Sequence, residues 1–304
     1  MSTDKTPEEL VAGLVRLLTV TRDGEDAFTG AMQPGGVGRV FGGQVIAQAL
    51  QAAQATAPEG LEAHSLHAYF LRGGKEGVDI AYSTARDFDG RSFANRRVVA
   101  SQSDEDGGTR PILNLTASFQ RPEDGLSHDD TIMPDVLPPE ELKPDMEQRR
   151  AMVKRMGDRM SEDQRKFVLR PRPIDMRTND KLHWMNSEPR PPRAHSWFRT
   201  CAPLPDDAAL HRAVIAYASD YTLLGTSALP HGLSWMRGEL VGASLDHAIW
   251  FHRPARADEW LLYATDAPWS GSGRGYNRGR IFNREGQLVA SVAQEGMMRR
   301  RKGK

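Results

Sequence analysis

Three polar side chains stand inside otherwise apolar segments in the second half of the chain. Asp220 lies in AYASDYTLL, Ser244 opens SLDHAIWF, and Gln294 lies in LVASVAQEGMM. A carboxylate in such surroundings must find hydrogen-bond partners or face a cavity. If the helix of this half crosses its sheet, the three side chains can converge on one water molecule. The carboxylate would accept the proton of that water, and the serine and glutamine would orient it. A structural role, with Asp220 as an internal cap or turn residue, is the alternative.

Other kinds of site lack a convincing pattern. The chain has nine histidines and one cysteine, Cys201, without an HExxH motif or a cysteine cluster, so we predict no metal site. A phosphate loop and a GxSxG serine elbow are also missing. Asp246 and His247 are adjacent, and neighbours on a strand point to opposite faces, so we do not expect them to share a site. A lone histidine near an aromatic run, such as His64, is more often structural than catalytic.

Composition indicates a soluble globular protein. Of 304 residues, 39% are hydrophobic, and 40 basic residues balance 40 acidic ones. We therefore predict neither a nucleic-acid partner nor a membrane partner, and we interpret the basic tail MRRRRKGK as a solvated terminus. A single cysteine suits a reducing compartment. We find no signal-peptide pattern and no apolar stretch long enough for a transmembrane helix, so we expect a cytoplasmic protein.

The two halves of the chain show the same order of elements. Apolar spacing and good helix formers predict a first helix from Gly43 to about Thr56, stopped by Pro58 and Gly60. Strand patterns follow it, and a second helix pattern with its own strand patterns comes later. The first strand set covers 64–73, 78–88, 92–102 and 111–120. The second helix covers 210–225, and its strands cover 244–254, 259–269, 275–283 and 287–298.

Short sequence matches support an internal duplication. VIA occurs in both predicted helices, and AYFLR resembles IWFHR at the corresponding place in the second half. We infer an α+β fold with a repeated unit of one helix and about four antiparallel strands, the alternative being chance similarity. The predicted units are 1–120 and 196–304. We predict a linker over 121–195, with a charged surface helix at 146–167 and extended proline-rich stretches. A solvated linker is favoured over contact with anionic groups.

Six motifs in order carry a family resemblance. RVFGGQVIAQAL, HSLHAYFLRGG, YASDYTLL, LDHAIWFHRP, EWLLY and VASVAQEGMMR together resemble the acyl-CoA thioesterase II family, over about residues 8 to 300. The resemblance implies a double hotdog fold, in which each half is a curved antiparallel sheet wrapped around a central helix. It implies hydrolysis of fatty acyl-CoA to a free acid and coenzyme A, without a metal or organic cofactor. By motif, the residues that position the attacking water are Asp220, Ser244 and Gln294. Family members often have threonine at the serine position.

Three further residues are candidate substrate contacts. Gly42 and Gly43 lie at the entry to the first helix, where glycine allows close backbone approach. We interpret them chiefly as structural, with the alternative that they line the acyl or pantetheine channel; a nucleotide cradle is disfavoured. His64, in the strand after that helix, is the third candidate.

Two other functions stay open at this point. Hydration or dehydration of an enoyl thioester usually needs a histidine acting with an acid, which Asp220, Ser244 and Gln294 do not provide. Intact Asp220, Ser244 and Gln294 argue against a non-catalytic acyl-CoA-binding protein or sensor, and only turnover excludes it. A structural assembly protein gives no reason for this polar trio. Exposed sheet edges lead us to expect a homodimer or a higher homo-oligomer. The sequence leaves the acyl-chain length and the pathway open.

Overall fold

The computed structural model describes residues 5–33, 38–104, 106–179, 188–235 and 237–301. Within these ranges the first part of the chain forms two helices and six strands, and its helix α2 is followed by four strands as predicted. The elements are α1 (Pro7–Leu18), β1 (Thr21–Arg22), β2 (Ala27–Gly30), α2 (Gly42–Gln54), β3 (Glu62–Phe70), β4 (Ile80–Asp89), β5 (Phe93–Ser103) and β6 (Thr109–Gln120).

The described residues after this part form three helices and seven strands, with short 3₁₀ segments that include Leu223–His231. Here α5 is likewise followed by antiparallel strands, so the order of elements is repeated. The elements are α3 (Asp145–Met156), α4 (Glu162–Leu169), β7 (Ile174–Thr178), β8 (Arg193–Thr200), α5 (Ala208–Ser219), β9 (Leu240–Ser244), β10 (Asp246–Phe251), β11 (Leu261–Gly271), β12 (Arg274–Phe282) and β13 (Leu288–Arg300).

The described strands form one antiparallel sheet. Its order is β1-β2-β4-β5-β6-β3-β10-β13-β12-β11-β8-β7, and β9 pairs with β13 beside β10. The two halves join where β3 pairs with β10, with Leu66 opposite Ile249 and both side chains fully buried. The repeated units therefore share a continuous sheet and one core.

The two central helices pack against each other. Alanine and glycine make up much of α2, and nearly all of its residues from Gly43 to Ala53 are buried between the sheet and α5. Small side chains let the elements approach closely. A Cβ atom added at Gly43 would collide with the backbone carbonyl of Tyr217 in α5. The first turn of α2 thus lies against the last turn of α5.

The two central helices end differently. After α2, the buried Arg96 donates to the carbonyl of Thr56 at 2.8 Å and pairs with Asp89. At the end of α5, the Tyr263 hydroxyl donates to the carbonyl of Ser219 at 2.9 Å. Both side chains satisfy carbonyl groups that a helix end leaves without partners. The residue after Ser219 is Asp220, so only the second helix ends in a carboxylate.

Two of the predicted elements are wrong in extent. The second helix ends at Ser219, not near Gly225. The carbonyl of Ser219 accepts from the Tyr263 hydroxyl of β11, and the apolar stretch after the helix forms the 3₁₀ segment. The strand predicted over 244–254 is the shorter β10, and Ser244 instead ends the preceding strand β9, which is divided from β10. The division falls at Leu245, whose N–H donates to Glu295 while its carbonyl accepts from Phe70.

The connecting segment is more ordered than a solvated linker. We predicted one charged surface helix over 146–167, but α3 ends at Met156 and α4 is a separate helix. Gly157, directly after α3, adopts a φ of 51° that favours glycine. Met152, Met160 and Val168 pack together between the two helices. Further along, β7 pairs with β8 at the end of the sheet. The division into 1–120, 121–195 and 196–304 stays a prediction.

Candidate active site

Asp220 is the C-terminal cap of α5 and lies where three elements meet. Its Oδ1 accepts a hydrogen bond from Gln294 Nε2 of β13 at 2.7 Å. The Ser244 hydroxyl at the end of β9 lies 3.5 Å from the same oxygen. This is longer than the about 2.5–3.0 Å of an ordinary O–H···O bond, so the serine is only loosely tied to the carboxylate. The N–H of Gly43 also donates to this carboxylate. The structure thus brings Asp220, Ser244 and Gln294 together.

The surroundings of Asp220 change its acidity. Burial raises the pKa of this carboxyl from 3.8 to about 6, against the opposing effect of hydrogen bonds from Gln294, Gly43 and Ser244. At pH 7 the group is therefore mostly ionised, yet it is a stronger base than an exposed aspartate. Such a pKa suits a carboxylate that must accept a proton and release it again near neutral pH.

Gly42 brings the start of α2 against the carboxylate. A Cβ atom added at Gly42 would lie 2.7 Å from Asp220 Oδ2 and 2.9 Å from Phe70 Cζ. Real Cβ contacts are essentially never this close, so only glycine fits here without displacement. Phe41, the N-terminal cap, offers no side-chain hydrogen bond to the helix. The N-terminus of α2 therefore lies close to Asp220, and a helix N-terminus favours negative charge.

A cavity of about 730 Å³ opens beside this group of residues. Asp220 and Ser244 form part of its wall, and much of the rest is apolar, including Phe41, Leu224 and Trp235. The connecting segment completes the wall through residues of α3, α4 and β7, among them Arg149, Phe167, Val168 and Met176. The segment that we predicted as a linker thus helps to enclose the cavity.

The cavity wall also carries charge. Arg149 is buried and forms an ion pair with Asp145, one turn earlier on α3. The guanidinium of Arg172 stands 5.8 Å above the ring of Tyr221, which is next to Asp220 in the chain. The cavity therefore combines apolar surface with cationic side chains contributed by the connecting segment.

His64 is not among the residues that line this cavity. Its Nε2 lies 2.8 Å from the Ser118 hydroxyl, and its ring packs edge-on against Phe93. The structure therefore does not bring His64 to Asp220. Gly42, by contrast, lies against the Asp220 carboxylate, and Gly43 lies against the carbonyl of Tyr217 in α5. Cys201 is partly buried, and burial raises the pKa of its thiol. A raised pKa lowers the fraction of reactive thiolate, so the thiol is a poor nucleophile.

Known families and relatives match most of this chain. Residues 29–120 match the acyl-CoA thioesterase N-terminal domain, and residues 139–298 match the acyl-CoA thioesterase C-terminal domain. An acyl-CoA thioesterase 2 from Haemophilus influenzae is 35% identical over 291 residues, which cover 96% of this chain and 98% of that protein. The chain belongs to the acyl-CoA thioesterase II family.

Solved structures confirm the fold of this thioesterase family member. The acyl-CoA thioesterase II TesB2 from Mycobacterium marinum is 35% identical, with a TM-score of 0.74 over 96% of this chain and 99% of that one. A protein with a hot dog fold from Alicyclobacillus acidocaldarius is 18% identical, with a TM-score of 0.73 over 95% and 99%. At that identity the likeness concerns the fold alone. The predicted α+β double hotdog is confirmed.

Sequence reasoning on this acyl-CoA thioesterase II chain missed one residue beside the site. Asp246 and His247 do have different partners, since Asp246 accepts from the N–H of Glu295 while His247 Nδ1 lies 3.1 Å from Gln294 Nε2. His247 is fully buried. Alternation along the strand indicates that either Asp246 or His247 faces inward. The apolar neighbours Ala248 and Ile249 do not indicate which of these two residues it is.

Two observations bear on other kinds of site in this thioesterase family member. Among the described residues, no group of three or more histidine, cysteine, aspartate or glutamate side chains is arranged to hold a metal ion. Within the same ranges, every helix is too short or too polar to span a membrane.

Proposed function

We propose that the protein hydrolyses fatty acyl-CoA thioesters to a free fatty acid and coenzyme A, using a water molecule activated by Asp220. Membership of the family supports the reaction. The observation that carries the proposed site is the hydrogen bond from Gln294 to Asp220 at 2.7 Å, on the wall of a largely apolar cavity and beside the first turn of α2.

The two oxygens of Asp220 have different roles in this proposal. Oδ1 is engaged by Gln294 and approached by Ser244, which holds the carboxylate in one orientation. Oδ2 lies on the side of Gly42 and faces the start of α2. We assign Oδ2 as the oxygen that accepts the proton of the attacking water. Gln294 then acts on the water mainly by fixing the carboxylate, and Ser244 is loosely enough held to orient the water through its hydroxyl.

The reaction then proceeds by addition and elimination. The water oxygen bonds to the thioester carbon while its proton passes to Asp220. Charge develops on the former carbonyl oxygen beside the N-terminus of α2, whose helix dipole favours negative charge. The carbon–sulfur bond breaks, and the leaving sulfur takes a proton from the Asp220 carboxyl. This returns the carboxylate and yields the acid and the free thiol. A thioester is reactive enough for a weak base to suffice.

The cavity provides the place for the acyl group. Its apolar wall suits a hydrocarbon chain, which gains free energy by leaving water. Because the connecting segment forms part of that wall, we infer that α3, α4 and β7 take part in setting the preferred chain length.

The first experiment is a panel of acyl-CoAs from short to long chains, followed by release of free thiol. Rapid release from one or more members supports the thioesterase proposal, and the profile gives the preferred chain. Tight binding of acyl-CoA without release would favour a binding protein. Water addition to an enoyl-CoA without thiol release would favour a hydratase. That outcome would be unexpected, since the described residues that line the cavity include no histidine.

The pH dependence tests the state of Asp220. Only the ionised carboxylate accepts a proton, so kcat/KM should rise with pH, pass its midpoint near the pKa of about 6, and then level off. The measurement is thiol release at low acyl-CoA from about pH 5 to pH 8. Ser244→Ala should keep nearly the same midpoint, because the serine bond to the carboxylate is long. A profile that stays flat across this range would remove Asp220 as the base.

Replacement of Ser244 tests whether a hydroxyl is what the site needs. Ser244→Thr should keep kcat within about 3-fold, since the hydroxyl is retained. Ser244→Ala should lower kcat by about 10-fold, the value of one hydrogen bond. Ser291→Ala is the matched control, because this β13 serine pairs with the exposed His252 at 2.8 Å. Equal rates for alanine and threonine variants at position 244 would show that the hydroxyl does not act on the water.

We also propose that the protein works in the cytoplasm, in fatty-acid metabolism, as a homodimer or larger homo-oligomer. Support for self-association comes from the end of β3 and the residue after it, where Tyr69 is 60% exposed and Leu71 is 45% exposed. Large exposed apolar side chains near the middle of a sheet suit packing against a second copy.

A further inference from the structure

We propose that His247 is a positioning residue: its imidazole, behind Gln294, determines which way the glutamine amide faces and thereby holds Asp220 in its catalytic orientation. The inference rests on the proposed function, and it assigns to a buried histidine a role in the reaction without contact with substrate or water.

A hydrogen-bonded chain runs from α5 through β10 and β13 to the carboxylate. The Ser219 hydroxyl donates to the carbonyl of Ala216 at 2.9 Å. His247 Nε2 lies 2.9 Å from the same Ser219 oxygen, and His247 Nδ1 lies 3.1 Å from Gln294 Nε2. The chain ends at Asp220 Oδ1, 2.7 Å from that amide nitrogen. Hydrogen bonds thus connect Asp220 through Gln294, His247 and Ser219 to α5, the helix that Asp220 caps.

Counting protons leaves one arrangement for this chain. The serine hydroxyl has a single proton, which it donates to Ala216, so Ser219 must accept from His247 Nε2–H. A neutral imidazole with its proton on Nε2 has a lone pair on Nδ1. That lone pair accepts one amide proton of Gln294, and the carboxylate of Asp220 accepts the other. Rotating the amide by half a turn would place its oxygen against a lone pair and a carboxylate, which repel it.

The histidine is suited to remain in this state. It is fully buried, and burial lowers the pKa of His247 to about 3, so the ring is neutral at any pH at which the reaction would be measured. Protonation would replace the Nδ1 lone pair by a second donor and break the contact with the glutamine. A neutral ring with a defined tautomer therefore serves as a fixed acceptor.

The carbonyl oxygen of the Gln294 amide does not fix the orientation of that amide. Gln294 is 1% exposed, and its Oε1 accepts no hydrogen bond from the described residues. The orientation of the amide therefore depends on the two acceptors of its nitrogen. Asp220 is the group to be positioned, which leaves His247 as the group that positions.

Three variants test the proposal, each measured for kcat and KM with an acyl-CoA that the wild type hydrolyses. His247→Ala should lower kcat by about 10-fold to 100-fold, since small displacements of a reacting group have effects of this size, and should change KM by less than about 2-fold. His247→Asn, whose side-chain oxygen can take the place of Nδ1 as acceptor, should restore kcat to within about 3-fold of wild type. Ser219→Ala, which removes only the acceptor for Nε2–H, should cause a smaller loss of kcat.

His211 provides the matched control. It is 3% exposed and its Nδ1 accepts from the N–H of Ala257 at 3.0 Å, so it is a buried histidine with a similar bond in a different place. His211→Ala should reduce stability and leave the kcat of folded protein unchanged. The proposal is overturned if folded His247→Ala keeps the wild-type kcat, or if His247→Asn is as slow as His247→Ala. If His247→Ala does not fold, an unchanged kcat in Ser219→Ala together with a slow His247→Asn overturns it.

Failure of the wider proposal would be seen separately. A wild type that releases no thiol from any acyl-CoA argues against the thioesterase function before a variant is compared. An active wild type with indifferent His247 variants argues against the positioning role alone.

Discussion

Asp220→Asn should lower kcat by about 100-fold or more while leaving the fold intact. Asparagine has the shape of aspartate and can still accept the hydrogen bond from Gln294, but it cannot take a proton from water. General-base catalysis typically contributes 10²–10⁴-fold, which sets the expected size of the loss. The measurement is thiol release at saturating acyl-CoA. Asp266→Asn is the control, because that carboxylate pairs with Arg278 away from the cavity.

The same variant should be more stable than the wild type at neutral pH. The folded-state pKa of Asp220 is raised from 3.8 to about 6, so its contribution to stability is complete below about pH 4 and is lost as pH rises through 6. Asparagine carries no charge to bury, so at pH 7 the gain in unfolding free energy should be about 1–3 kcal/mol. We expect a value near the lower end of this range, because the side chain borders an open cavity where solvent screens the charge. Denaturant unfolding at pH 7 and at pH 4 measures it, and the difference should shrink at the lower pH.

The joint outcome separates catalysis from folding. A slow and more stable Asp220→Asn supports a base held at a cost in stability. A slow and destabilised variant would indicate that the carboxylate is structural, as an internal cap. An unchanged kcat would keep the enzyme and discard the site.

Gly42→Ala should lower kcat by about 100-fold, although alanine is the better helix former. The added Cβ would lie 2.7 Å from Asp220 Oδ2 and 2.9 Å from Phe70 Cζ. The carboxylate cannot retreat easily, because Gln294 holds its other oxygen, and the phenylalanine ring is itself packed against the core. Either Asp220 or the first turn of α2 must move, and a shift of about 1 Å in a reacting group can cost about 100-fold in rate. Steady-state kinetics on the variant measure the effect.

Gly13→Ala in α1 is the matched control for that change. Its added Cβ would come no closer than 4.0 Å to another atom outside its own backbone surroundings, namely Arg16 Nη2. There alanine should raise stability by up to about 1 kcal/mol through helix propensity and leave kcat unchanged. Wild-type kinetics in Gly42→Ala would mean that the close approach of α2 to Asp220 is not needed for the reaction.

Local pattern was sufficient to predict the central helix α2 and most strands. The run of alanine and glutamine after Gly42 has high helix propensity and small side chains, and the strands alternate between buried and exposed residues. These properties depend on neighbours in the sequence, so the sequence reveals them. The end of α5 was not predicted, because the apolar pattern continues past Asp220. The group that binds the carbonyl of its last residue, the Tyr263 hydroxyl, lies on a strand that is distant in the sequence.

The sequence by itself determined which residue types could do chemistry: a carboxylate, a hydroxyl and an amide in apolar surroundings, in motifs of a known family. The tertiary structure decided how they meet. Asp220 and Gln294 are 74 positions apart, and His247 lies 47 positions before the glutamine. Their contacts depend on strand register and on the packing of α2 against α5, which no local spacing encodes. Long-range packing therefore decided which carboxylate oxygen is held, which histidine supports the amide, and which part of the connecting segment encloses the cavity.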